Sequence, residues 1–243
     1  MTHVEPVADP EADELPHSLT AWVGGRLVLP HAVADGHALL TSGARIVGVC
    51  RHGDVPADAD RVDLAGAYLL PGLVDIHTHG ALGRSFLDGD DEAFETILTE
   101  QVTRGVTGLL ATTSTAPFPD ILAALETTRS WMRHGRPGAK VLGAHVEGPY
   151  FAAAQAGAQD PANLRTPDDG SVEELLQHAD VIRLVSYAPE LPGAHELTLR
   201  LVALGIVAGA GHSEAADSDL ERCVALGLSH AIHLWSGQST TFR

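Results

Sequence analysis

After Pro71 the chain alternates short apolar runs with segments of helical composition, and this alternation is the strongest restriction on its fold. Apolar strands that alternate with helices along one chain indicate a parallel sheet with right-handed crossovers. The predicted strands are a run from Leu69, then Thr107–Thr115, Lys140–Glu147, Val181–Ser186, Ile206–Gly211 and Ser229–Leu234. The predicted helices are Glu92–Arg104, a segment from Pro119 through Trp131, Ser171–Ala179 with Ser171 and Glu174 spaced as in a capping box, Ala194–Leu204 and Ala216–Leu226.

The segment before Pro71 has a different pattern. Residues 18–70 contain short apolar runs separated by Gly and Asp-Gly, which predicts strands in hairpins and a small β-sandwich module. Residues 1–17 carry five acidic side chains and neither Lys nor Arg, which is the reverse of a signal peptide and predicts a disordered acidic tail. The predicted organisation is therefore a tail at 1–17, a β-module at 18–70 and an α/β barrel domain at 71–243.

Composition argues against several classes of partner. The formal net charge is −17 and Lys140 is the only lysine, whereas nucleic-acid binding requires clustered basic side chains. No apolar run reaches the ~18 residues that a membrane span needs. The two cysteines, Cys50 and Cys223, are far apart, so neither a disulfide framework nor a zinc finger is expected, and a reducing cytoplasm fits.

A His-x-His pair closes the first of the predicted parallel strands. Asp75, His77 and His79 follow an apolar run and project to one face of an extended strand. Two imidazoles on one face make half of a divalent-metal site. The alternative is that the strand simply ends in polar residues, and further ligands at other strand ends would decide between the two.

Three other predicted strands also end in metal-ligand residue types. His145 and Glu147 lie at the end of the third strand, His212 at the fifth and His233 at the sixth. Because the active sites of (β/α)₈ barrels form at the carboxyl ends of several strands, this convergence favours a barrel over a doubly wound sheet. The ligand types suit Zn²⁺, Fe²⁺, Mn²⁺ or Co²⁺ without selecting one. His145 could serve as a ligand or support one, and neither Asp75 nor Glu190 is an obvious general acid or base.

Five segments together resemble the amidohydrolase superfamily. In chain order they are PGLVDIHTHG, LGAHVEGPY, YAPE, AGAGHSEA and HAIHLWS. Within the superfamily they are most similar to the N-acetylglucosamine-6-phosphate deacetylase family, over roughly residues 19–243. The resemblance implies one or two divalent ions, Zn²⁺ or Fe²⁺. Glu147, His212 and His233 would hold the principal ion, and His77 and His79 a second. The implied partner is a small phosphorylated amino sugar, N-acetylglucosamine 6-phosphate, hydrolysed to acetate and glucosamine 6-phosphate.

The chain departs from that family at three places. Ala158 and Gln159 stand where the family carries a substrate-binding pair ending in His, and Ser236 and Gly237 stand where it has Asn-Ala. The barrel holds about six of the eight expected βα units, and the family's proton-transferring aspartate on strand eight is expected beyond Arg243. We therefore expect metal affinity without full turnover, and an unfinished barrel that could self-associate. Two alternatives stay open: an amidohydrolase acting on another amide, and a catalytically incomplete fragment that only binds metal.

Overall fold

The structure, a computed structural model, describes residues 18–134 and 136–235. The chain divides into two compact units, Met1–Pro71 and Gly72–Arg243. The predicted acidic tail at 1–17 lies outside the described residues. No helix among the described residues is long and apolar enough to cross a membrane.

The first unit contains two small β-sheets. Its strands are β1 (Leu19–Val23), β2 (Arg26–Leu29), β3 (Ala32–Ala34), β4 (His37–Ser42), β5 (Arg45–Arg51), β6 (Asp60–Asp63) and β7 (Tyr68–Leu69). One sheet has the order β5-β4-β1-β6 and the other the order β3-β2-β7. Hairpins occur at β4–β5 and β2–β3, which pair antiparallel, whereas β1 and β2, on either side of Gly24-Gly25, lie in different sheets. Pairing beyond the hairpins differs, because β6 joins β1 and β7 joins β2 in parallel.

A small cluster of buried apolar side chains packs against the larger sheet of this unit. Ala21 and Val23 alternate with partly exposed residues along β1, as expected for a strand with one buried face. They pack with Ala38, Val55 and Ala59. Gly24, at φ +70°, makes the turn after β1 that sends the chain into the other sheet.

The second unit is a curled half-barrel of parallel strands with helices. Its six-stranded sheet has the order β15-β14-β13-β12-β11-β8, all parallel, so each strand lies beside its predecessor. This confirms the predicted incomplete barrel. The strands are β8 (Leu73–Thr78), β11 (Val106–Thr112), β12 (Lys140–Glu147), β13 (Ile182–Tyr187), β14 (Val207–Ala210) and β15 (His230–Ala231), with a short hairpin of β9 (Gly80–Ala81) and β10 (Arg84–Ser85). The helices are α1 (Asp91–Thr103), α2 (Phe118–Arg133), α3 (Ser171–Leu175), α4 (Ala194–Ala203) and α5 (Asp217–Ala225).

Helix α1 begins at a side-chain cap, whereas α2, α3 and α4 begin without one. The Asp90 side chain caps α1 by accepting a hydrogen bond from the Ala93 amide at 2.7 Å. The predicted capping box at Ser171 is wrong, since α3 begins after Gly170 without a side-chain cap. Instead the Ser171 hydroxyl donates to Asp169, and it lies 2.8 Å from the Tyr150 hydroxyl.

The core of this unit lies between the sheet and its helices. Val146 and Val185 of the sheet pack with Leu125 of α2 and Leu197 of α4, and all four side chains are fully buried. Three predicted strands, Lys140–Glu147, Val181–Ser186 and Ile206–Gly211, match the observed ones within one residue at each end. The strand predicted from Leu69 begins only at Leu73, and the one predicted to end at Thr115 ends at Thr112. The predicted last strand, Ser229–Leu234, is too long, because only His230–Ala231 pairs with β14.

Candidate metal centre

Glu147 is the last residue of β12, and its carboxylate is the centre of the site. Its side chain is only 1% exposed, which is unusual for a carboxylate unless charged or polar groups surround it. Four imidazoles contact it through Nε2. His233 and His79 lie closest, at 2.8 Å from Oε1 and 3.0 Å from Oε2. His77 and His212 lie 3.3 and 3.4 Å from Oε1.

Each of these side chains comes from the carboxyl end of a parallel strand. His77 is the next-to-last residue of β8 and His79 lies just beyond that strand, while His212 and His233 each stand two residues after β14 and β15. His212 and His233 adopt left-handed backbone conformations, with φ of +49° and +47°. Such conformations cost about 1–3 kcal/mol for residues other than glycine and are concentrated at functional sites.

Two of the histidines have their Nδ1 atom within hydrogen-bonding distance of a protein group other than Glu147. His212 Nδ1 lies 2.8 Å from the Gln155 carbonyl oxygen, which can only accept, so this nitrogen carries a proton, and in the neutral ring Nε2 then presents its lone pair to the site. His79 Nδ1 lies 3.1 Å from the Ser114 hydroxyl. Metal-binding histidines are held in this manner, with the second nitrogen bonded to a protein group.

His145 is a supporting residue in this arrangement. Its ring is fully buried, with Nδ1 3.2 Å from the Ile76 carbonyl oxygen and Nε2 2.8 Å from the Ser186 hydroxyl. Both ring nitrogens are therefore engaged away from Glu147. Its ring centroid lies 4.7 Å from that of His77, so His145 packs against one of the candidate ligands.

The carboxylates of Asp75 and Glu190 have structural partners. Asp75 accepts a hydrogen bond from the His77 backbone amide at 2.9 Å. Glu190 accepts from the Ser213 hydroxyl at 2.7 Å and from the Glu214 amide at 2.6 Å. Glu190 thereby braces the segment that follows His212.

Electrostatics at the site favour an ionised carboxylate. Burial alone would raise the pKa of Glu147, but its contacts with His212, His77 and His79 outweigh burial and hold that pKa well below its usual range. The contact with Glu147 in turn raises the pKa of His79. Burial, reinforced by the nearby His77, lowers the pKa of His145 to about 3, so this ring is neutral at physiological pH.

The donor set fits a divalent cation. Two groups of side chains could each hold an ion, His77 with His79 and Glu147, and Glu147 with His212 and His233, the ligand atoms of each group lying within 4.8 Å of one another. His77 Nε2 and His212 Nε2 are buried and, within the described part of the chain, have no hydrogen-bond partner of good geometry. Buried polar atoms normally have such partners, and a cation would provide one here. Imidazole and carboxylate donors suit Zn²⁺ and Fe²⁺.

The predicted substrate-binding residues have different outcomes. Gln159 is buried and its side chain contacts Glu147, whereas Ala158 beside it is exposed. Ser236 and Gly237 lie outside the described residues. A substrate role for these residues stays a prediction.

Sequence reasoning missed the groups that hold the ligands in place. Ser114 follows the end of β11, so the strand-end argument that found the histidines could have found it. Ser186 is a polar residue near the carboxyl end of β13, which was a usable signal, and it lies opposite Glu147 in the β12–β13 register. Gln155 acts through its backbone carbonyl, for which the sequence contains no signal.

Known proteins resemble the chain in sequence and in fold. The N-acetylglucosamine-6-phosphate deacetylase of Vibrio furnissii is 35% identical over 180 residues, covering 74% of this chain and 45% of the relative. The N-acetylgalactosamine-6-phosphate deacetylase of Escherichia coli O157:H7 is 29% identical over 217 residues, covering 88% and 56%. No family model matches the chain. The chain thus spans about half the length of the curated relatives it matches.

A solved structure extends the likeness to three dimensions. A mutant N-acetyl-D-glucosamine-6-phosphate deacetylase from Mycobacterium smegmatis, in complex with N-acetyl-D-glucosamine-6-phosphate, aligns with a TM-score of 0.83 at 29% identity. The alignment covers 94% of this chain and 58% of that one. Similarity in both sequence and fold therefore confirms the resemblance to N-acetylglucosamine-6-phosphate deacetylases, over the part of those enzymes that this chain spans.

Proposed function

We propose that the protein is a metal-dependent deacetylase that hydrolyses the N-acetyl group of N-acetylglucosamine 6-phosphate, releasing acetate and glucosamine 6-phosphate. The observation that carries this proposal is the convergence of four imidazoles on the buried carboxylate of Glu147. The similarity to deacetylases of phosphorylated amino sugars supports the substrate class. This reaction would place the protein in amino-sugar catabolism.

Glu147, His212 and His233 would hold the principal cation, Zn²⁺ or Fe²⁺, and His77 and His79 would join Glu147 around a second. When bound, such a cation polarises a carbonyl group and lowers the pKa of a coordinated water. The protein's own contribution is to keep the Glu147 carboxylate ionised and to hold the ligands in alignment. Glu147 stays ionised because the imidazoles surround it, and the Gln155 carbonyl keeps the proton of His212 on Nδ1.

The described residues do not supply an evident proton shuttle. Both carboxylate oxygens of Glu190 accept hydrogen bonds, from Ser213 and Glu214, and one oxygen of Asp75 accepts from the His77 amide, so both side chains already have structural partners. We therefore keep the expectation that an aspartate on an eighth strand serves this step, as the resemblance implies. This expectation is tested by comparing the rate of acetate release by the 243-residue chain with that of the chain extended by any coding sequence that follows Arg243 in its gene.

The substrate is tested by a panel loaded with the same metal. We expect acetate release from N-acetylglucosamine 6-phosphate and much slower release from the same sugar without phosphate. Equal rates with and without the phosphate group would contradict a phosphorylated substrate and favour an amidohydrolase for another amide. Full turnover by the 243-residue chain would contradict the need for an aspartate outside it.

A second candidate substrate is N-acetylgalactosamine 6-phosphate. Of the two relatives described above, the Escherichia coli enzyme named for this sugar aligns over the larger share of the chain, 88% against 74%. The two sugars differ in the orientation of one hydroxyl group, so including both epimers in the panel decides between them by the ratio of kcat/KM.

Two further properties stay predictions. Both cysteines are free thiols, which fits a reducing cytoplasm. Association of the chain into a homo-oligomer is testable by sedimentation over a range of protein concentrations.

A further inference from the structure

Gln159 lies in the connection after β12 and is bound by protein at both ends of its amide. The residue is 8% exposed. Its Oε1 accepts a hydrogen bond from the Thr115 backbone amide at 2.6 Å, and its Nε2 donates to Glu147 Oε2 at 3.0 Å. Because a backbone N–H can only donate, Thr115 fixes which end of the amide is oxygen, and the NH₂ group must face the carboxylate.

The two oxygens of Glu147 consequently have different surroundings. Oε1 faces His233, His77 and His212, whereas Oε2 is contacted by His79 and by the Gln159 amide. The bond from Gln159 opposes rotation of the carboxylate about its last torsion, which is otherwise broad. It also joins two separate segments, since Thr115 follows β11 and Glu147 ends β12.

We propose that Gln159 is a positioning residue for the metal-binding carboxylate of Glu147: its amide, anchored on Thr115, holds Oε1 toward the three histidines that share it. This rests on the proposed metal site. A neutral imidazole, like an amide, offers one donor and one acceptor, so both residue types can link Thr115 to Glu147.

Titration of the metal-free 243-residue chain with Zn²⁺, in competition with a chromophoric chelator, tests the proposal. Gln159→Met keeps the side-chain length and removes both hydrogen bonds, and we expect it to weaken Zn²⁺ binding about 10- to 100-fold, as loss of a partner behind a ligand typically does. Gln159→His should stay within about 3-fold of the wild type, since it keeps a donor and an acceptor. Gln177→Met makes the same change at an exposed position and serves as the control.

The variants separate positioning from folding. Circular dichroism and thermal melting of each protein in chelator report whether it is folded before metal is added. An unchanged Zn²⁺ dissociation constant in folded Gln159→Met would overturn the proposal, whatever its melting temperature. An equal loss in Gln159→His would also overturn it, because packing rather than hydrogen bonding would then be responsible. Failure of the wild-type chain itself to bind Zn²⁺ would overturn the metal site on which the proposal rests.

Discussion

The stability of the metal-free protein should depend on pH through His145. Its ring is fully buried between the Ile76 carbonyl and the Ser186 hydroxyl, and its pKa is lowered to about 3. In the unfolded chain an imidazole has a pKa of about 6.5. At a pH between the folded and the unfolded pKa, the ring is protonated in the unfolded chain and neutral in the folded protein. The stability that this group contributes is therefore full above the unfolded pKa and is lost as the pH falls toward the folded pKa.

Between pH 7.5 and 5.0 this linkage amounts to about 2 kcal/mol of unfolding free energy. Glutamine does not titrate, so His145→Gln lacks this linkage. We expect the unfolding free energy of the wild type, relative to that of His145→Gln, to be about 2 kcal/mol lower at pH 5.0 than at pH 7.5. Denaturant unfolding in chelator at both pH values measures this, and His79 and His212 titrate in both proteins, so their contributions cancel. Val146→Ala, a buried change on the same strand, should give a difference independent of pH. A pH-independent difference for His145→Gln would refute the reasoning.

Two more predictions concern stability. Leu197→Ala on α4 leaves a cavity at a fully buried core position and should lower the unfolding free energy by about 2–5 kcal/mol. Leu199→Ala, on the same helix but 48% exposed, should change it by no more than about 0.5 kcal/mol. Equal effects of the two substitutions would contradict the assignment of Leu197 to the core. Glu190→Leu removes both oxygens that accept from the Ser213 hydroxyl and the Glu214 amide, and should cost about 1–3 kcal/mol by denaturant unfolding. A loss below about 0.5 kcal/mol would show that the brace contributes little.

The barrel strands and the candidate ligands were predictable because their signals are local. Lys140–Glu147 is observed with the boundaries predicted for it, since a long apolar run that ends in a polar residue marks a buried parallel strand. Glu147 and the histidines at 77, 79, 212 and 233 stand at strand ends, and topology alone requires the carboxyl ends of parallel strands to meet at one edge of the sheet. The convergence needed no side-chain detail.

The remainder depends on contacts between distant segments. The role of Gln159 as a donor to Glu147 requires knowing that the connection after β12 folds back onto the end of β11, which no periodicity encodes. The capping box at Ser171 was wrong because Asp169 and Tyr150 engage its hydroxyl. The last strand was predicted too long because the turn at His233 takes a left-handed conformation, which apolar patterning does not reveal.

Every functional proposal for this protein depends on whether Glu147 and its histidines hold a divalent metal. Metal content decides this, measured by mass spectrometry after equilibration with Zn²⁺ and gel filtration, for the wild type, for Glu147→Ala, and for Glu221→Ala, an exposed glutamate on α5 as control. We predict at least one ion per chain in the wild type and in the control, and a content near zero in Glu147→Ala. Equal metal content in all three proteins would remove Glu147 from the site and contradict a metal centre built around it.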